Sequence, residues 1–278
     1  PEFVGYMHAG NFTETDKEDI TVDLRRGVDS AEIHLFDGQT GTKNWAIDTA
    51  WRPYAYVVVG QGPGGYHGLV YDYDGDSLDD LVVGAVGLVV AKGTTGEYLN
   101  ETHTVEIFGT KILVNSGMVA TNADGSRATI YPGTFQGVAS FSPDIEINWR
   151  SHTPTTNAGG AMADLDGDGV REVLVFGEDS QIAAYNLDGS RRWTVAGGDN
   201  QMGVAADIDN DGKDEFITVL GDSLYAWDEA GGSPVEKWRW RGPGVLGAPI
   251  LGDLDGNGDL EVVVYDNTHL YVLGSSNQ

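Results

Sequence analysis

The sequence has no cysteine, which excludes disulfides and thiolate metal sites. It is also poor in positive charge, with 16 Lys and Arg against 43 Asp and Glu and a net charge of −27. Affinity for nucleic acid phosphates comes from Lys and Arg, so no nucleic acid partner is expected. Long apolar runs are missing. The longest, residues 81–91, is broken by Gly84 and Gly87, and none reaches the roughly 18 residues of a spanning helix, so no membrane span is expected. Helical spacing does not persist over any useful length. The six histidines (His8, His34, His67, His103, His152 and His269) fall singly, and no Ser nucleophile elbow, phosphate-binding loop or dinucleotide fingerprint occurs. The chain opens at Pro1 without Met or a charged-then-apolar leader, as a mature or excised chain would.

What the chain has in excess is glycine, 40 residues, and acids set in register. Residues 164–172 read Asp-Leu-Asp-Gly-Asp-Gly-Val-Arg-Glu, with carboxylates at places one, three, five and nine. Calcium takes six to eight oxygens at about 2.3–2.6 Å, and a loop turning sharply at glycine can aim alternate side chains inward. Asp164, Asp166 and Asp168 are expected to ligate through their side chains, Val170 through its carbonyl and Glu172 at the close. An EF-hand would need its last acid at place twelve and flanking helices. Here the ninth residue runs directly into Val-Leu-Val-Phe, a strand signal.

The loop recurs. Asp207, Asp209, Asp211, Lys213 (by its carbonyl) and Glu215 form one copy, and Asp253, Asp255, Asn257, Asp259 and Glu261 another. Asp72, Asp74, Asp76, Leu78 and Asp80 form an earlier one. The later openings lie 43 and 46 residues apart, and Asp72 stands 92 residues, two such steps, before Asp164. The gap holds a degenerate copy at 120–128, and residues 11–19 fit the frame with most carboxylates replaced; neither is expected to hold an ion. A period of about 40–50 residues marks a repeat array.

Each repeat reads as four strands, for instance Gly159 to Ala163, Glu172 to Phe176, Gln181 to Tyr185 and a segment ending at Trp193. Tyr54 to Val59 is expected to open the second repeat, and Thr94 to Glu101 to form a surface insertion. The sixth repeat stops after Leu270 to Leu273 with no evident fourth strand. The expected fold is all-β, a six-bladed β-propeller of four-stranded blades with DxDxDG calcium loops. A single domain over 1–278 is expected, with repeats at approximately 1–50, 51–115, 116–150, 151–195, 196–241 and 242–278. The repeat-end tryptophans Trp45, Trp149, Trp193 and Trp238 are expected to pack between sheets rather than stack on sugars.

The segments opening at Ala163, Ala206 and Gly252 resemble FG-GAP/VCBS repeats, found in integrin-type propellers, bacterial surface proteins, some lectins and propeller-fold rhamnogalacturonan lyases. The resemblance covers all six repeats loosely and four specifically. It implies blades with Ca²⁺ between inner strands and no single activity, since propellers host many. About four Ca²⁺ per chain are expected, bringing the charge to about −19. Loops of this kind suit millimolar external calcium, and sequons at Asn11 and Asn100 are compatible with glycosylation. The function expected is a secreted or cell-surface, calcium-stabilised, non-catalytic structural or adhesion module. Other chains, copies of itself among them, or surface glycans are the expected partners, with assembly through strand or edge complementation. The alternative is a carbohydrate-active propeller, a rhamnogalacturonan-lyase-like enzyme or a lectin. A lyase needs a base near calcium; His67, Tyr66 and Tyr71 flank one loop and His152 another, but no residue is assigned to catalysis.

Overall fold

The computed structural model describes residues 3–14, 16–25, 31–48, 68–84, 88–102, 106–107, 110–111, 118–121, 127–133, 135–142, 146–156, 159–176, 181–196 and 203–274. Every regular element among them is a strand, and the long sheets are antiparallel meanders in chain order. The chain divides into two compact units: Pro1–Val119 with Phe141–Asn148, and Ala120–Ser140 with Trp149–Gln278.

In the first unit, β1 (Phe3–Glu14), β2 (Lys17–Arg25), β3 (Ala31–Phe36) and β4 (Lys43–Asp48) form one sheet. A second contains β5 (Gly68–Tyr71), β6 (Asp80–Gly84), β7 (Leu88–Ala91) and β8 (Tyr98–Thr102). The expected insertion at Thr94 to Glu101 is therefore corrected. Lys92 and Glu97 close a tight turn in which the Lys92 N–H donates to the Glu97 carbonyl at 2.8 Å, with Gly96 at φ +72°, and the chain reverses into β8. Residues 54–59 lie outside the described residues. A short hairpin, β9 (Glu106–Ile107) and β10 (Thr110–Lys111), follows. Next in sequence is a sheet of β11 (Met118–Thr121), β12 (Arg127–Gly133), β13 (Phe135–Phe141) and β14 (Ile147–Thr156). Trp149 thus lies within a fourth strand that runs past the expected repeat end at 150.

The second unit continues with β15 (Gly159–Ala163), β16 (Glu172–Phe176), β17 (Gln181–Tyr185) and β18 (Arg191–Ala196). A further sheet has β19 (Val204–Ala206), β20 (Glu215–Leu220), β21 (Ser223–Ala230) and β22 (Ser233–Arg241). The last described sheet has three strands, β23 (Ile250–Gly252), β24 (Glu261–Tyr265) and β25 (Leu270–Leu273).

Strand side chains alternate between faces with period two, and the core follows that parity. Counting from the ninth loop residue, places +2 and +4 face the next sheet and +1 and +3 the previous one. Leu174, Phe176, Ile182, Ala184 and Trp193 pack with Phe216 and Trp227 of the following sheet. Ile217, Val219, Leu224 and Ala226 pack in the same way with Val262 and Val264. In the first unit Ile33, Leu35 and Ile47 meet Leu81 and Ala91. A strand such as β16, buried along its whole length, satisfies both neighbours and so reads as an unbroken apolar run.

Candidate metal centres in the interstrand loops

The loops between first and second strands share one backbone design. Places four and six require left-handed conformations: Gly167 and Gly169 have φ of 77° and 85°, and Gly256 and Gly258 have 77° and 96°. Glycine adopts these without a Cβ clash. The Asp207 loop uses Asn210 at place four, φ 61°, a residue that tolerates this region. The Asp72 loop puts Ser77 at place six, φ 72°, and carries the strain of a Cβ there.

This path turns successive N–H groups onto the first carboxylate. Asp164 accepts from Gly167, Asp168 and Gly169 at 2.8–3.1 Å. Asp253 accepts from Gly256, Asn257 and Gly258 at 2.7–3.1 Å. Asp207 and Asp72 each accept two such bonds. The ninth residue is buried and accepts the N–H of the second: Leu165 to Glu172 at 3.0 Å, Ile208 to Glu215 at 3.0 Å, Leu254 to Glu261 at 2.8 Å and Tyr73 to Asp80 at 3.1 Å.

Places one, three and nine therefore converge. Ligand oxygens of Asp72, Asp74 and Asp80 lie within 4.8 Å of one another, as do those of Asp164, Asp166 and Glu172, of Asp207, Asp209 and Glu215, and of Asp253, Asp255 and Glu261. Two oxygens at about 2.4 Å on opposite sides of one Ca²⁺ are about 4.8 Å apart, and a hard all-oxygen donor set is what that ion prefers. The residues fit the ion. The fifth-place side chains accept N–H groups from within their own loops. Asp76, Asp168, Asp211 and Asn257 accept the N–H groups of Leu78, Val170, Lys213 and Asp259 at 2.7–3.0 Å. Asp211 also groups with Glu215 and Asp228, an acid from β21 that the sequence frame does not include.

Three of the four triads hold a tethered cation that sequence reasoning missed. Lys92 Nζ donates to Asp74 at 2.5 Å and Asp76 at 2.7 Å. Arg192 donates to Asp166 at 2.9 Å and Glu172 at 2.8 Å, and pairs with buried Glu229 of the next sheet. Lys237 donates to Glu215 at 2.7 Å and pairs with Asp209. Arg192 and Lys237 each immediately precede a repeat-end tryptophan, Trp193 and Trp238, and that position is the signal that could have found them. Among the described residues no Lys or Arg ion pair reaches Asp253, Asp255 or Glu261.

Burial penalises the charged form of Asp80, Glu172 and Glu215 and pushes each above the ordinary carboxylate value. Burial acts against Arg192 and Lys237 too, yet their carboxylate partners outweigh it and hold both cations protonated.

In two of the four loops the eighth residue is a clasp between repeats. Asp214 accepts the Asp164 N–H at 2.9 Å and returns its own N–H to the Asp164 carbonyl at 2.8 Å. Asp79 and Asn11 exchange the same pair at 2.8 and 3.0 Å. The backbone of Asn11, one sequon residue, is thus engaged, and Thr13 of that sequon donates to buried Asp19 at 2.6 Å. Asn100 lies on β8. The tryptophans dock on the next sheet's turn. Trp45 Nε1 donates to the Gly93 carbonyl at 2.6 Å, Trp193 Nε1 donates to Glu229 at 2.6 Å, and Trp149 lies against Gly189. Tyr71 is buried beside Tyr73. Tyr66, His67, residues 122–126 and the side chain of His152 lie outside what is described.

No protein-family model and no curated protein sequence matches the chain. Solved structures do. BBS1N, determined in complex with ARL6DN, is 13% identical with a TM-score of 0.61, covering 96% of this chain and 81% of its own. Sqt1 of Saccharomyces cerevisiae is 13% identical with a TM-score of 0.68, covering 98% and 72%. The rhamnogalacturonan lyase PL11 of Bacillus licheniformis is 18% identical with a TM-score of 0.66, covering 97% of this chain but 56% of the lyase. The chain spans just over half of that enzyme. At these identities the likeness concerns the fold alone: the protein is all-β and β-propeller-like.

Proposed function

We propose that the chain is a six-bladed, FG-GAP/VCBS-type β-propeller of one domain, stabilised by about four Ca²⁺. It serves outside the cell or on its surface as a non-catalytic structural or adhesion module. Its partners are other protein chains or surface glycans, and edge or strand complementation is the means of assembly. The observation that carries this reading is the fourfold recurrence of a carboxylate triad on one backbone design. Each ion would sit on the oxygens of places one, three and nine and release the tethered cation where there is one. Binding at a hundred times the dissociation constant stabilises by about 2.7 kcal/mol per site. Propellers are frequent partners in complexes, as the BBS1N–ARL6DN structure illustrates for that protein. The likeness to rhamnogalacturonan lyases supports the carbohydrate-active reading as the alternative, tested by product release from rhamnogalacturonan.

Metal analysis after dialysis against Ca²⁺, paired with thermal unfolding with and without a chelator, decides the matter. About four ions and a chelator-lowered melting temperature are expected. Two or fewer ions per chain would overturn the reading.

A further inference from the structure

Three of the four carboxylate triads are held by a cation from their own sheet. Lys92 meets Asp74 and Asp76, Arg192 meets Asp166 and Glu172, and Lys237 meets Asp209 and Glu215. Each cation takes the third-place acid, and two of them also take the buried ninth-place acid. Among the described residues the Asp253 loop has no such partner. Its third-place Asp255 accepts from Asn257 instead, through the backbone N–H at 3.1 Å and Nδ2 at 3.2 Å.

Strand register explains the difference. In each of these sheets place +1 of the second strand pairs with the third strand: Leu81 with Ala91, Val173 with Tyr185, Phe216 with Trp227 and Val262 with Leu273. The next residue of the chain stands beside the loop. Lys92 fills that place and donates to Asp74 and Asp76. Asn186 fills it in the fourth sheet and accepts from Arg192, and Asp228 fills it in the fifth and groups with Asp211 and Glu215. In the sixth sheet the place falls to Gly274, where a Cβ would lie 3.8 Å from Oε1 of Glu261. Arg192 and Lys237 come from fourth strands, β18 and β22, whereas the described part of the sixth sheet has three.

A tethered cation and a calcium ion compete for the same carboxylate oxygens, and like charges a few ångströms apart repel. Filling a held triad means displacing the ammonium or guanidinium while its tether keeps it close by. The Asp253 triad carries no such penalty. We propose that Lys92, Arg192 and Lys237 are built-in competitors of calcium that grade the loops. The Asp253 loop fills first, and the Asp72, Asp164 and Asp207 loops fill at higher concentration. Below that concentration the tethered cations neutralise the acids in the ion's place. This inference rests on the reading of the loops as calcium sites and adds a rank order to it.

Isothermal titration calorimetry of the full chain, freed of metal on a chelating resin and titrated with calcium chloride alone, reads the grading. One tight site and about three weaker ones are expected. Their dissociation constants should differ by roughly tenfold or more, equivalent to about 1.4 kcal/mol. Asp255→Asn, at an exposed position, should remove the tight site. The φ of Gly274 lies outside the left-handed region, so a side chain can be placed there. Gly274→Lys should shift the tight site into the weak class, and Gly274→Met, of similar length without the charge, should leave it tight. Because a loss can come from local damage, the gain carries more weight: Lys92→Met should raise the number of tight sites from one to two. Circular dichroism in calcium checks that each variant keeps its strands. Four sites of equal affinity in the parent chain would overturn the grading and leave the calcium reading standing. Two or fewer bound ions would overturn that reading and the grading with it. Gly274→Lys behaving as Gly274→Met does, or Lys92→Met gaining no tight site, would also sink the grading.

Discussion

Replacing Arg192 by Met tests how the tethered cation and a bound ion share one set of carboxylates. Arg192 is mostly buried and meets three acids: Asp166 at 2.9 Å, Glu172 at 2.8 Å and Glu229. Glu172 and Glu229 are themselves buried. Removing one partner of a buried ion pair leaves a charge without compensation, at a cost of about 3–5 kcal/mol. For a chain of this size roughly 1 kcal/mol moves the midpoint by about 2–4 °C, so the chelated protein should melt roughly 10 °C lower. With Ca²⁺ the ion takes over Asp166 and Glu172. Only Glu229 then loses its partner, and it keeps the Trp193 Nε1 donor at 2.6 Å. The loss should fall to about 1–3 kcal/mol. Differential scanning calorimetry of both proteins, with chelator and with millimolar Ca²⁺, reads both effects. Lys92→Met is the control, because Lys92 meets the more exposed Asp74 and Asp76 and should lose less. Adding Glu229→Gln to Arg192→Met should restore part of the stability in calcium, since the neutral amide removes the unpaired charge and keeps an acceptor for Trp193 Nε1. Equal losses at Arg192 and Lys92, or a loss at Arg192 that ignores calcium, would refute the reasoning.

The ninth-place acids also fix the sign of a pH dependence. Burial raises Glu172 and Glu215 above their ordinary 4.5, so the ion-free fold holds these protons longer than the unfolded chain does. Stability from this source is full below about 4.5 and is lost as pH climbs through the raised values. Calcium binds the deprotonated form and should invert the slope, so chemical denaturation between pH 4 and 7 should show opposite trends with and without the ion; one common slope would be inconsistent with it. Gly189→Ala should destabilise more than Gly169→Ala, although both have positive φ. A Cβ at Gly189 would lie 2.7 Å from the Trp149 ring, whereas one at Gly169 meets nothing within 4 Å. Backbone strain alone costs about 1–2 kcal/mol, and overpacking adds about 1–3 kcal/mol at Gly189. Thermal melts giving equal shifts would mean that the ring moves aside freely.

How far the sequence could be read follows from which interactions are local. A nine-residue loop whose first carboxylate gathers the N–H groups of residues three to five places on writes its own geometry. Asp164, Gly167 and Gly169 are therefore legible as a unit, and so is the strand that begins at Glu172. Short apolar runs rich in β-branched and aromatic residues made β16, β17 and β20 visible for the same reason. Contacts between repeats were harder to see, because nothing within one repeat states its partner. Arg192 lies 20 residues from Glu172 and 37 from Glu229, and reads in isolation as one more charge near a turn. Asp214 looked like a surplus acid beside Glu215, yet it clasps a backbone 50 residues away. The fifth-place side chains are expected from spacing to ligate directly, and spacing leaves out their local hydrogen bonds for a related cause. Spacing shows that Asp168 can point inward, but it cannot show that the Val170 N–H, two residues on, already holds it at 2.8 Å.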